Sequence, residues 1–133
     1  MRRLSAETGR VFDAWLDPKT AGRFLFATPT GTMVRVEIDA RVGGRFTFVD
    51  RRDGTDVIHT GEYLTIDRPH RLVFTFSVPQ FSPDATTVAV DIAPQGLDSI
   101  VTLTHEGVYE EFVERTASGW TMILNGLAEA LMP

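Results

Sequence analysis

Residues 109–132, YEEFVERTASGWTMILNGLAEALM, decide how the rest of the chain must fold. Phe112, Thr116, Trp120, Ile123, Leu124, Leu127 and Leu131 fall on one stripe at helical spacing. Glu110 and Glu111 stand in the first turn, where negative charge complements the helix dipole. The spacing predicts a helix of about 22 residues, roughly 33 Å long. Its two halves differ. Gly119 interrupts the first, with Thr116 and Ser118 as small neighbours, while Ile123 to Leu131 is steadily aliphatic. An internal glycine costs a helix about 1 kcal/mol relative to alanine. A sealed core is therefore expected under the second half and looser space under the first.

Working back from that helix, the chain between residues 33 and 106 reads as strands. MVRVEIDA (33–40) alternates Val34, Val36 and Ile38 with polar neighbours. GRFTFVDRRDG (44–54) puts Phe46 and Phe48 on one face and stops at an Asp-Gly pair suited to a tight primed turn. Gly43-Gly44 before it suggests a bulge or a close backbone approach. VIHTGEYLTI (57–66) returns, DRPH (67–70) turns, and RLVFTFSV (71–78) aligns Leu72, Phe74 and Phe76. TTVAVDIA (86–93) and SIVTLTHE (99–106) form a further hairpin around PQGLD (94–98). The result is six antiparallel strands in a meander, each about eight residues or roughly 26 Å long. Ahead of them, Val11, Phe12, Trp15 and Leu16 mark a helix that Pro18 ends. Asp17 then caps a second short helix, with Pro18 in its first turn, reaching Phe24. Helices segregated from an antiparallel sheet define an α+β fold. The sheet must curl round the last helix, because each has only the other to cover its apolar face.

The 133 residues show no repeat and no linker, which fits one domain over 1–133. With 43% apolar and 23% charged residues, the composition is that of an ordinary soluble protein. No apolar run approaches the length of a membrane span, and MRRLSAETGR carries no apolar stretch of a signal peptide. The net charge of −5 has the wrong sign for a generic nucleic-acid surface. There is no cysteine, so disulfides and thiol chemistry are excluded and a reducing cytoplasm is the expected setting.

No HExxH, close histidine pair, nucleophile elbow, GxGxxG or phosphate loop occurs, so neither a metal nor a cofactor nor a catalytic residue is assigned. A lone histidine is first a structural residue. His70 lies in a turn, while His59 and His105 lie on strands. Pairing an inward histidine with Glu37, Glu62 or Glu106 would make an acid–base dyad, but His105 and Glu106 are adjacent and face opposite ways. His59 and Glu62 differ by three and do the same unless Gly61 bulges the strand. Tyr63, in phase with His59, is the better polar partner for something inside. Phe46, Phe48, Phe74 and Phe76 line the concave face, with Phe24 and Phe26 near its mouth and Trp120 opposite. Filling a core is the first meaning of such residues, yet small-molecule sites are also mostly apolar.

Five phrases together resemble one family: RVFDAWLDP (10–18), DARVGGRFTF (39–48), GEYLTIDRPHRLVFTF (61–76), VTLTHEG (101–107) and GWTMILNGL (119–127). They are similar to the activator of heat shock protein 90 ATPase homologue-like family, within the START-like superfamily (SRPBCC, birch pollen allergen-like). The resemblance runs from about residue 10 to residue 131, nearly the whole chain. It implies a helix-grip fold, a curved antiparallel sheet wrapped round a long C-terminal helix, with an internal cavity for a small hydrophobic or amphipathic molecule. On that basis Phe24, Phe46, Phe48, His59, Tyr63, Phe74, Phe76, Thr116 and Trp120 are the expected ligand-binding residues. A polyketide cyclase-like enzyme, with His59 or Tyr63 orienting the substrate, and a co-chaperone-like protein-interaction domain are the alternatives. Only MRRL precedes the first helix, so the family's first strand is expected to be cut short or missing. The sheet edge left open could then be covered by a second copy in a homodimer.

Overall fold

The computed structural model describes residues 2–25, 31–80, 84–108 and 113–131. Phe26, Glu110, Glu111 and Phe112, named above, lie outside the described residues. The elements run β1 (Arg2–Leu4), α1 (Thr8–Leu16), α2 (Pro18–Phe24), β2 (Thr32–Ile38), β3 (Arg45–Arg52), β4 (Thr55–Asp67), β5 (Arg71–Phe76), β6 (Thr86–Gln95), β7 (Asp98–Glu106) and α3 (Val113–Ala130). The strands form one antiparallel sheet in the order β1-β7-β6-β5-β4-β3-β2. The six-strand meander is present, and β1 makes a seventh strand beside β7, with Arg2 opposite Val101 and Leu4 opposite Ser99. This first strand is short but real. Arg2 donates to Asn125 Oδ1 on α3, and Arg3 pairs with Asp98 at 2.8 Å.

Local chemistry sets the connections. Asp17 Oδ1 accepts from the Lys19 backbone N–H at 3.1 Å and its Oδ2 accepts from the Thr20 hydroxyl, so α2 has the expected cap. Replacing an N-cap carboxylate by alanine costs about 1 kcal/mol. Asp17→Ala should accordingly lower Tm by about 4 °C in a circular-dichroism melt. Asp53 and Gly54, both at positive φ, make the tight turn between β3 and β4. The Gly43-Gly44 pair does mark a close approach, since a Cβ on Gly44 would stand 2.2 Å from the Asp39 carbonyl oxygen. Where β5 stops short of the end of β4, the Gln80 side chain takes its place, accepting from Ile58 N and donating to the Asp56 carbonyl.

One face assignment differs from expectation. Val34 does not share the inner face with Val36 and Ile38. The register shifts between Met33 and Arg35, which turns Val34 outward and brings Met33 into the core. The outer face carries the ion pairs Arg35–Glu37, Arg45–Glu62 and Arg51–Asp56.

Candidate functional site

The nine aromatic and polar residues expected to line a cavity fall into two groups. Phe46 packs edge-on to Phe48 and Phe74, with ring centroids 5.9 and 5.4 Å apart, and tilts against Tyr63 at 5.5 Å. Phe24 meets Trp15 edge-on at 5.3 Å. These rings are buried and lie mostly against one another. The space left among Trp15, Leu25, Phe46, Tyr63, Leu72 and Phe74 is about 10 Å³, about that of a single water. Burial pushes the Tyr63 phenol well above its ordinary range.

The second group runs across the concave face as a wall. His59 stacks on Phe76 at 6.0 Å with ring planes 6° apart. Phe76 meets His105 at 5.9 Å, and His105 meets Trp120 of α3 at 5.8 Å. Beyond it opens a cleft of about 330 Å³, lined by Leu103, His105, Val108, Val113, Thr116 and Trp120, with Ala117 and Thr121 at its side. Of the expected ligand-binding residues, Thr116 and Trp120 line this cleft, Phe76 and His59 continue its wall inward, and the other five belong to the packed cluster.

The two halves of α3 account for its position. A Cβ on Gly126 would stand 3.1 Å from Phe24 Cβ, so α2 and α3 are in close contact there. A Cβ on Gly119 would meet nothing within 4 Å. Leu124, Leu127 and Leu131 are buried, whereas the first half has only Trp120 fully inside among the described side chains.

His105 has a defined protonation pattern. The Trp120 indole N–H can only donate, and it donates to His105 Nδ1 at 2.9 Å. Nδ1 is therefore bare, and the proton of the neutral ring sits on Nε2, 2.6 Å from the Thr86 hydroxyl. Thr86 in turn donates to the Phe76 carbonyl at 3.1 Å. Burial lowers the pKa of His105. His59 is pushed down to about 4, chiefly by burial and then by the Arg52 charge, against the opposing pull of the Phe48 carbonyl and Asp50.

Two residues of this region are absent from the expected site. Asp50 is fully buried on the same inner face as Phe46 and Phe48, and its Oδ2 accepts from Arg52 Nε at 2.7 Å. Strand alternation after Phe48 was the available signal. His105, which the sequence allows to bond a ligand or move a proton if it points inward, stands on the wall of the cleft but is not among the nine expected ligand-binding residues. Its real partners, Thr86 and Trp120, come from other elements. His70 is exposed in its turn, as expected. Among the described residues no group of three His, Asp or Glu is placed to hold a metal ion. No helix among them is long and apolar enough to cross a membrane.

A curved antiparallel sheet gripping a C-terminal helix, open on one side of that helix, defines a START-like, helix-grip protein. Against known proteins, the chain belongs to the family described as Activator of Hsp90 ATPase homolog 1-like protein, which it matches over residues 5–132. Among solved structures it is similar to protein CV1439 from Chromobacterium violaceum, at 27% identity and a TM-score of 0.90, covering 99% of this chain and 94% of that one. The AHSA1-like protein from Aeromonas hydrophila is 24% identical with a TM-score of 0.83, covering 98% and 89%. CalU16 from Micromonospora echinospora is 24% identical with a TM-score of 0.73, covering 99% and 73%. A search of the curated proteins found no significant match.

Proposed function

We propose that the protein binds a small hydrophobic or amphipathic molecule in the cleft between β7 and the N-terminal half of α3. The observation that carries this reading is the asymmetry of α3: its C-terminal half is sealed against α2, while its N-terminal half leaves about 330 Å³ beside Trp120. Leu103, Val108, Val113 and the Trp120 ring supply apolar walls, and the Thr116 hydroxyl supplies a polar contact. The arrangement favours holding over reacting. Both nitrogens of the cleft's histidine are engaged, by Trp120 and Thr86, so a proton transfer to a ligand would first have to break that network. The ion pairs across the outer face likewise favour this reading over a protein-docking role, which wants a continuous apolar patch.

The test uses N-phenylnaphthylamine, a neutral dye that brightens in apolar sites, and the variant Ala117→Trp. Ala117 is exposed at the side of the cleft, so a large ring there blocks the space without entering the core. Wild-type protein should bind the dye, and the variant should bind it about tenfold more weakly at nearly unchanged Tm, as expected when a filled site loses its apolar contacts. Equal binding by the two proteins would move the site elsewhere.

A further inference from the structure

The hydrogen bonds around His105 run in one direction: from the Trp120 indole N–H to Nδ1, from Nε2–H to the Thr86 hydroxyl, and from that hydroxyl to the Phe76 carbonyl. Each donor has one acceptor, and the chain closes only if the imidazole is neutral. A second proton on the ring would go to Nδ1 and point at the indole N–H, donor against donor. Trp120 is the largest side chain lining the cleft, and this bond joins the described part of α3's first half to the sheet.

We infer that His105 is a positioning residue that holds Trp120 as the wall of the cleft only while its imidazole is uncharged, so that acid loosens the cleft's hold on its occupant. This rests on the cleft being a binding site. Among the described residues, His105 bonds Thr86 and lies opposite Val88 on β6, and it meets Phe76 of β5 and Trp120 of α3, none of them charged. His59 lies on the far side of Phe76 and titrates near 4. Glu106 is on the opposite face of β7, and Glu114 is exposed on α3. Burial disfavours a charged His105, so the change falls on the acid side of its ordinary value of 6.5.

The test measures N-phenylnaphthylamine affinity at about pH 7.5 and about pH 4.5, the lower value set below the ordinary histidine range because burial lowers this one. Wild-type affinity should fall about fivefold on acidification, the worth of one neutral hydrogen bond. Trp120→Phe keeps a ring and loses the donor, while His105→Asn keeps an acceptor near Nδ1 and does not titrate. Whatever their absolute affinities, both should bind equally at the two pH values. A flat wild-type response, or a slope retained in His105→Asn, overturns the inference. Nitrogen-15 spectra of the same proteins separate it from the binding proposal. The Trp120 indole signal should move with the His105 ring titration in the wild type and stay still in His105→Asn. Absence of dye binding at the higher pH would sink the binding proposal. An indole signal that ignores the ring titration would sink the coupling.

Discussion

Gly61→Ala should cost about 4 kcal/mol or more, or abolish soluble expression. A Cβ at this position would lie 1.8 Å from the Thr75 carbonyl oxygen and 2.6 Å from two carbons of the Phe46 ring. The first is backbone of the neighbouring strand. The second belongs to the aromatic cluster at the centre of the core. Neither can withdraw cheaply: Thr75 is tied to β4 by its Oγ1, which accepts from Glu62 N at 2.9 Å, and Phe46 is wedged among Phe48, Tyr63 and Phe74. Just past Gly61, between Tyr63 and Thr65, β4 slips its register against β5, so the strand is irregular where the glycine lies. A thermal melt is the check. The expected fall in Tm is about 15 °C or more. A variant melting within a few degrees of the wild type would mean that the Phe46 ring is not fixed over β4.

The second large effect is acid destabilisation through His59. In the unfolded chain its pKa is 6.5; in the fold, burial and Arg52 bring it to about 4. Above 6.5 the ring is neutral in both states and costs nothing. Between 6.5 and 4 the unfolded chain binds a proton that the fold refuses, so stability falls with pH, and the loss is complete near 4. The gap corresponds to about 3 kcal/mol. Urea unfolding at a series of pH values from neutrality downward should show this decline, at micromolar protein because the isoelectric point is 5.1. His59→Phe keeps a ring against Phe76 and removes the proton site, so its profile should be flatter by most of that amount. A variant profile parallel to the wild type would assign the acid sensitivity to other groups. His105, lowered by burial too, acts in the same direction on the acid side of 6.5.

Both effects arise on strands whose alternation could be read directly. His59, Gly61 and Tyr63 share the inner face because side chains in a strand alternate, and the Asp-Gly turn and Asp17 cap depend on contacts within a few residues. The two halves of α3 were equally visible as a change from small to aliphatic residues. What the sequence hid was set by pairing at a distance. Val34 leaves its expected face because of a slip against β3, which no pattern within β2 encodes. Asp50 continues the inner row of Phe46 and Phe48, but its charge and its place next to a turn make it read as surface. Composition could not say whether the phenylalanines surround a space or each other. Five of the nine expected ligand-binding residues prove to be in the mutually packed set, and the cleft lies one step along the wall. The link from Trp120 to His105 joins a helix to a strand, and neither segment alone signals it.

The pairing of β1 with β7 also has a consequence for how the chain is made. Arg2 is bound opposite Val101, and Leu4 opposite Ser99. On the ribosome the leading strand therefore emerges roughly a hundred residues before its neighbour exists, a wait of at least about five seconds at ordinary translation rates. The edge of the sheet is completed only after β7 has been made, and until then β1 lacks the strand it pairs with.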